Sequence, residues 1–369
     1  MDILSRRSLI EQLKKHAQAS DREGAFPEQE FELVRKAGLL EMSLLANPYR
    51  YKEFNTSQLI DVLIMLGSAS LPVGRIYEGH ANALLLISLF GDQQQKDTYF
   101  SEVFNKQCLF GVWNTQDGDG VKIHDIGNGK YKLSGAKTFC SGAGWIQRPL
   151  ITGELISTKT EGWQMCIIPE AKVKEIVSDA SFWQPLGMRA SASFRMDFSG
   201  IVLDQSDLLG PPGAYYQQPY FSGGAIRFAA VQLGGAIAMM EETHRFLKEL
   251  NRTDDPFQRA RMGEIAYLVE TGNLWLGRAT QKTESSADQT GQLLAYINMT
   301  RTVINEVCLK SMHLAECSVG ARGLMRPYSL ERIHRDLTTY LKQPAPDATL
   351  TSIGKYVFDQ KDTSSLWTD

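Results

Sequence analysis

The chain has 369 residues, 43% of them hydrophobic, 22% charged and 9% aromatic. This ordinary globular mix suggests two or three domains with enough core to need no disulfide or metal staple. Its 39 basic and 42 acidic residues give a net charge of −3, and no basic run could track a phosphate backbone, which disfavours a nucleic-acid partner. The charged first twenty residues lack a secretory apolar region, and the longest apolar runs, Ala83–Ile87 and Ala236–Met240, are too short for a bilayer. With five scattered cysteines (Cys108, Cys140, Cys166, Cys308, Cys317) and no Cys-x-x-Cys, the expectation is a cytoplasmic protein with reduced thiols and no membrane partner.

Residues 1–106 read as an α-helical domain. Leu59, Val62, Leu63, Leu66 and Ala69 recur at helical spacing, and Ala83 to Phe90 is an apolar segment closed by Gly91. Breaks are expected at Asn47-Pro48, Leu71-Pro72 and Phe90-Gly91, with Asp92 as N-cap of a helix over QQQKDTYFSEVF. Over residues 107–212 the pattern becomes short runs punctuated by glycine. Tyr131 and Leu133 alternate with Lys130 and Lys132; Phe194, Met196 and Phe198 alternate with Arg195 and Asp197; Met165 to Ile168 is a short buried run. These predict strands of a central antiparallel sheet or barrel, bounded by Gly-Pro-Pro-Gly at 210–213.

Residues 213–369 return to helical spacing. Ile226, Ala230, Leu233 and Ile237 mark one long helix; Ile265, Leu268, Val269, Gly272, Trp275 and Ala279 a second; Leu294, Ile297, Val303, Ile304 and Val307 a third. Long helices with short connections predict a C-terminal four-helix bundle, with Pro344 and Pro346 ending the regular pattern before a short tail. The fold class is therefore α+β and multi-domain: helices, a β domain, then a bundle.

Most familiar catalytic signatures are missing: no GxGxxG after a strand, no GxxxxGK[ST], no HExxH and no GxSxG. The six histidines (16, 80, 124, 244, 313 and 334) include no pair at i,i+3 or i,i+4, so no metal-binding helical face is expected.

Local words in a fixed order nevertheless carry a resemblance. They are FGDQQQK (Phe90–Lys96), GVWNTQ (Gly111–Gln116), LSGAKTFCSGAG (Leu133–Gly144), PLGMRAS (Pro185–Ser191) followed by LLG (Leu208–Gly210), SVGARG (Ser318–Gly323) and LERIHRD (Leu330–Asp336). Together they resemble the acyl-CoA dehydrogenase superfamily from about residue 58 to residue 340. The resemblance implies FAD (FMN for a monooxygenase branch) and a homodimer or homotetramer. It places an aromatic wall and a hydroxyl for the flavin ring at Phe139 and Ser141, with Thr115 facing the pyrimidine end. It places the pyrophosphate contacts at Arg252 and at the turn Gly320 to Gly323 of a neighbouring subunit, with FAD held across a dimer interface. Taken as isolated residues, Phe139 and Thr115 read equally as strand core and edge, and Arg252 as a solvated helix end.

The resemblance also implies α,β-dehydrogenation of a CoA- or carrier-bound acyl group, with electrons leaving to an electron-transfer flavoprotein. That reaction needs a carboxylate base. Of the two places where the family carries it, one is Pro344 here and the other falls in Ser222-Gly223-Gly224. Asp347, three residues beyond the first, is a displaced candidate and reads also as the first turn of a short helix. The missing base makes the superfamily's two-component flavin monooxygenases the alternative; they act on small metabolites, take reduced flavin from a flavin reductase, and need no such base. On that reading the segment Gly74 to His80 offers Arg75, Glu78 and His80, though Glu78 and His80 diverge at i,i+2. His80 reads first as a hydrogen-bonded packing histidine. A third reading is a catalytically silent member that binds flavin or an acyl carrier.

Overall fold

A computed structural model describes residues 3–42, 56–116, 118–158, 160–285 and 290–363. The expected break at Asn47-Pro48 lies outside these residues.

Six helices come first: α1 (Ile3–Ser20), α2 (Glu28–Lys36), α3 (Leu39–Met42), α4 (Thr56–Ala69), α5 (Leu71–Phe90) and α6 (Gln93–Lys106). The break at Leu71-Pro72 separates α4 from α5, where the proline occupies the first turn and its missing N–H costs nothing. Gly91 caps α5, and Asp92 caps α6 in a capping box: its carboxylate accepts from the Gln95 N–H at 2.8 Å, and Gln95 Oε1 accepts from the Asp92 N–H at 3.1 Å. The Gln95 amide also donates to the carbonyls of Ser206 and Leu208, tying α6 to the end of the β domain.

The β domain holds β1 (Phe110–Trp113), β2 (Lys122–Gly127), β3 (Lys130–Ser134), β4 (Ala136–Cys140), β5 (Arg148–Ile156), β6 (Gly162–Ile167), a short α7 (Glu170–Val173), β7 (Val177–Asp179), β8 (Phe194–Asp197), β9 (Val202–Asp204) and β10 (Leu208–Leu209). One sheet runs β10-β6-β5-β2-β3-β9 with β1 also beside β5; a second runs β4-β8-β7. The expectation of a purely antiparallel sheet is corrected here, because both β1 and β2 pair parallel to β5. The long excursion through β3 and β4 supplies the crossover that a parallel pairing needs.

Helices α8 (Tyr220–Glu249), α9 (Pro256–Ser285), α10 (Thr290–Gly323) and α11 (Ser329–Tyr340) form the bundle, and α12 (Pro346–Asp359) lies against α10. Helix α8 is long and apolar enough to cross a membrane, but it is the central element of the bundle and most of its apolar stretch is buried. It also packs on α4, so the first and last parts share one core. They touch at backbone distance: a Cβ on Gly67 would sit 2.3 Å from the Val231 carbonyl oxygen, so only glycine fits. Pro346 does not end the helical pattern as expected. It occupies the first turn of α12, a position that suits proline.

Candidate active site

A cavity of about 770 Å3 opens where the β domain meets the helices. Its β-domain wall comes from Thr115, Phe139, Ser141, the segment Phe182 to Met188, Ser191 and Ser193; its helical wall comes from Arg75 on α5, Phe228 on α8, Thr338 to Tyr340 on α11, and Lys342 to Pro344. The volume lies within the range of about 300–1,000 Å3 usual for small-molecule and cofactor sites.

Strand β4 creates the first wall by breaking its own alternation. Lys137 and Phe139, two residues apart, should face the same way in a regular strand. A bulge between Lys137 and Cys140 separates them: Phe139 adopts φ 54° and is 51% exposed into the cavity, while Lys137 is fully buried on the other side. A left-handed backbone at an aromatic residue is strained and recurs where function requires it. The Phe139 ring meets Phe182 edge-on at 5.2 Å and Trp183 at 6.0 Å.

Lys137 was not foreseen as part of the site. Its ammonium donates to the Asn114 carbonyl (3.0 Å), Gln116 Oε1 (2.8 Å) and Thr152 Oγ1 (3.2 Å), and lies 4.9 Å from the centre of the Trp163 ring. Burial pushes its pKa down to about 8. The lysine thereby fixes Asn114 to Gln116, the segment that presents Thr115; the Thr138 N–H adds a bond to the Thr115 carbonyl at 2.9 Å.

Three hydroxyls form a chain. Ser141 Oγ lies 2.9 Å from Ser193 Oγ, which lies 2.8 Å from Ser191 Oγ. Three O–H groups joined by two bonds leave one hydrogen to donate outward. Ser141 is held in place by its carbonyl, which accepts from Trp113 Nε1 at 3.0 Å.

The loop carrying Met188 is anchored from the bundle. A Cβ on Gly187 would fall 2.0 Å from the Arg335 carbonyl oxygen, and the Met188 N–H donates to Asp336 Oδ1 at 2.6 Å. Burial raises the Asp336 carboxyl to about 6, against the opposing pull of Arg332. Arg335 pairs with Asp21 and Glu331 and donates to the Leu186 carbonyl, joining the residue after α1, α11 and this loop.

Other candidates fall elsewhere. As their i,i+2 spacing implied, Glu78 and His80 diverge. Glu78 is buried behind the cavity, where it accepts hydrogen bonds from Arg75 and Asn82. His80 is wholly buried and does not line the cavity: its Nδ1 accepts from the Phe110 N–H and its Nε2 faces the Leu40 carbonyl, both at 3.1 Å. That pairing fixes the Nε2–H tautomer, and burial lowers its pKa to about 4. Asp347 is exposed in the first turn of α12, outside the large cavity.

Arg252 and the glycine turn come together, but not at the cavity. Arg252 pairs with Asp255 at 3.0 Å. Arg261 donates to the Cys317 carbonyl at 3.2 Å, and Gln258 bridges Arg252 and Ser318. Gly320 has φ 59° and ψ −168°, which interrupts α10, and Gly323 is buried beside Val319. None of Arg252, Gly320 and Gly323 lines the cavity.

The chain matches the acyl-CoA dehydrogenase N-terminal domain over residues 5–107 and the acyl-CoA dehydrogenase C-terminal domain over residues 212–341. It belongs to the acyl-CoA dehydrogenase superfamily of flavin-dependent oxidoreductases. It is similar to dibenzothiophene monooxygenase of Rhodococcus erythropolis, 21% identical over 96% of this chain and 92% of the relative. It is also similar to "Probable FMNH2-dependent monooxygenase SfnC" of Pseudomonas putida, 22% identical over 96% and 94%. Among solved structures, TdsC of Paenibacillus sp. A11-2 in complex with FMN and indole superposes with a TM-score of 0.86 at 20% identity, covering 96% of both chains.

These findings overturn the expectation of acyl dehydrogenation and, with it, of an electron-transfer flavoprotein. Dibenzothiophene monooxygenase and SfnC match more strongly than the acyl-CoA dehydrogenases that also align over about nine-tenths of the chain. The geometry offers a physical reason: among the described residues lining the cavity there is no carboxylate and no imidazole to remove an α-proton. FAD as the main cofactor is not supported either, since the solved relative's flavin is FMN and a relative is named as FMNH2-dependent.

Proposed function

We propose that this protein is the oxygenase component of a two-component flavin monooxygenase, using FMN reduced by a separate flavin reductase to oxygenate a small molecule. The observation that carries the proposal is the lining itself: an aromatic and hydroxyl wall suited to a flavin ring, facing a wall with no carboxylate base among the described residues. Similarity to monooxygenases along the whole chain supports it.

The residues present fit a flavin. Phe139, turned out of its strand and braced by Phe182 and Trp183, would hold the flavin ring; Ser141 has a hydrogen it could donate to it; Thr115, positioned through Lys137, would stand at the ring's polar side. When bound and reduced, the flavin supplies two electrons to dioxygen, one oxygen atom going to the substrate and the other leaving as water. The chain's own task is positioning: the hydroxyl chain holds a proton at Ser141 Oγ, and the aromatic residues exclude water from the reacting face. The homo-oligomer implied by the family belongs to this reading.

The test is direct. The purified protein is titrated with FMN and FAD, then supplied with NADH, a flavin reductase, FMN and 18O2 over a panel of small heteroaromatic and sulfur compounds. FMN binding and a product carrying one 18O atom are expected. Anaerobic bleaching of bound flavin by an acyl-CoA, with no oxygenated product, would overturn the proposal.

A further inference from the structure

The helical wall of the cavity holds more positive charge than the protein neutralises. Arg75 and Arg227 are held around one carboxylate, Glu78, in a chain that crosses from α5 to α8. Arg75 Nη1 donates to Glu78, the Asn82 amide donates to the same carboxylate, and Arg227 Nε donates to Asn82 Oδ1. Glu78 and Arg227 are buried, and Glu78 is the carboxylate that faces both guanidiniums among the described residues. Both arginines remain charged at any working pH, so a buried cation and a second one at the cavity wall, its side chain 28% exposed, share one anion. Buried charge without a counter-charge is costly, and a site of this kind favours an incoming anion.

Two further observations direct that anion into the cavity. Arg75 makes one intramolecular hydrogen bond, through Nη1, out of the five N–H groups of a guanidinium, and it lines the cavity. Tyr340 lines the cavity beside it; its side chain is buried, at 6% exposure, and its hydroxyl has no hydrogen-bond partner. An orphaned buried hydroxyl next to an under-used guanidinium is what a carboxylate or sulfonate would satisfy, one oxygen to each donor. Phe228 and the aromatic residues of the opposite wall leave an apolar space for the rest of the molecule.

We propose that Arg75 and Tyr340 form a subsite for the oxyanion group of a small, flat organic acid, so that the substrates of this enzyme are carboxylates or sulfonates carried on an apolar body. Glu78, Asn82 and Arg227 are positioning residues that hold the guanidinium in place. The assignment rests on the flavin reading of the cavity: Phe139, Ser141 and Thr115 on the β-domain wall would hold the flavin ring, and the helical wall is left to the substrate.

The experiment is calorimetric titration of the FMN-loaded and the flavin-free protein with benzoate and benzenesulfonate, against the neutral benzamide and benzenesulfonamide. The acids are expected to bind at least tenfold more tightly than the amides. Arg75→Gln should abolish that preference and leave the FMN dissociation constant within twofold, and Tyr340→Phe should weaken the acids at least threefold without affecting the amides. Where Arg75→Gln fails to fold, Tyr340→Phe, which leaves every charge in place, carries the test by itself. Equal binding of acids and amides in both forms overturns the proposal, as does an undiminished preference in Arg75→Gln. A loss of FMN affinity in Arg75→Gln as large as the loss for benzoate also overturns it, because the guanidinium would then be a flavin contact. The FMN titration of the wild-type protein judges the flavin reading by itself, and the flavin-free titrations judge the anion subsite whatever that result.

Discussion

Protonation of His80 is the clearest quantitative consequence of the structure. Its ring is wholly buried, with one nitrogen accepting from Phe110 and the other facing Leu40, and burial lowers its pKa from 6.5 to about 4. Because the folded state binds this proton less readily than the unfolded state, the stability contribution is complete above pH 6.5 and is lost as pH falls through 6.5 toward 4. Between pH 7.5 and pH 4.5 the linkage relation gives a loss of about 2.5 kcal/mol from this one group, a large part of a typical domain stability of about 5–15 kcal/mol. Urea unfolding at the two pH values, in wild type and in His80→Gln, measures it. The variant, with no imidazole to titrate, should be less stable at pH 7.5 but should lose about 2.5 kcal/mol less than wild type on acidification. An equal loss in both proteins, or an NMR titration placing the His80 pKa near 6.5, refutes the reasoning and returns the histidine to the list of exchangeable acid–base groups.

Phe139→Ala removes the aromatic face of the β-domain wall and is expected to weaken FMN binding by about tenfold, equivalent to about 1.4 kcal/mol, in a fluorescence titration. Lys137→Met leaves the Asn114 carbonyl and the Gln116 and Thr152 oxygens without their donor; a lower melting temperature and weaker FMN binding should appear together, since Thr115 loses its support. Asp347→Asn changes an exposed helix-end residue outside the cavity, and FMN binding and turnover should stay within twofold of wild type. Asp336→Asn tests the opposite pH sign. The carboxyl, raised from 3.8 to about 6, favours folding most below pH 3.8 and less as pH rises through 6, so unfolding curves of the variant should lack that decline.

Much of the fold was legible because local chemistry and tertiary structure agree. Asp92 and Gln95 cap α6 as their spacing allows, Pro72 opens α5, and Phe194 and Met196 face inward from β8 as alternation predicts. The features that were misread depend on partners distant in sequence. Nothing in Phe110–Trp113 or Lys122–Gly127 announces that both pair parallel with β5. Pro346 carries the same signal whether it ends a helical pattern or begins a helix, and only the packing of α12 on α10 decides between the two.

The site divides along the same line, and the division explains why its chemistry was misassigned. Thr115, Phe139 and Ser141 are accessible from two local words, and the structure brings all three to one cavity. The helical wall has no such word. Arg75, Phe228 and Tyr340 come from three helices; Arg75 stands out in the sequence only within the segment Gly74 to His80, and Phe228 and Tyr340 are unremarkable within theirs. The direction of Phe139 depends on a bulge that alternation cannot anticipate, and Lys137 becomes a buried donor only because that bulge turns the two residues apart. Even so, the strongest evidence against dehydrogenation was present in the sequence as an absence, a proline where a glutamate base would stand. The structure gives that absence its meaning by placing Pro344 in the cavity wall, with no carboxylate among the described lining residues to replace it. An enzyme that abstracts a carbon-bound proton cannot omit its base, whereas one that delivers oxygen from a reduced flavin needs a binding wall, a hydroxyl near the ring and a dry pocket. The residues around this cavity meet the second set of requirements.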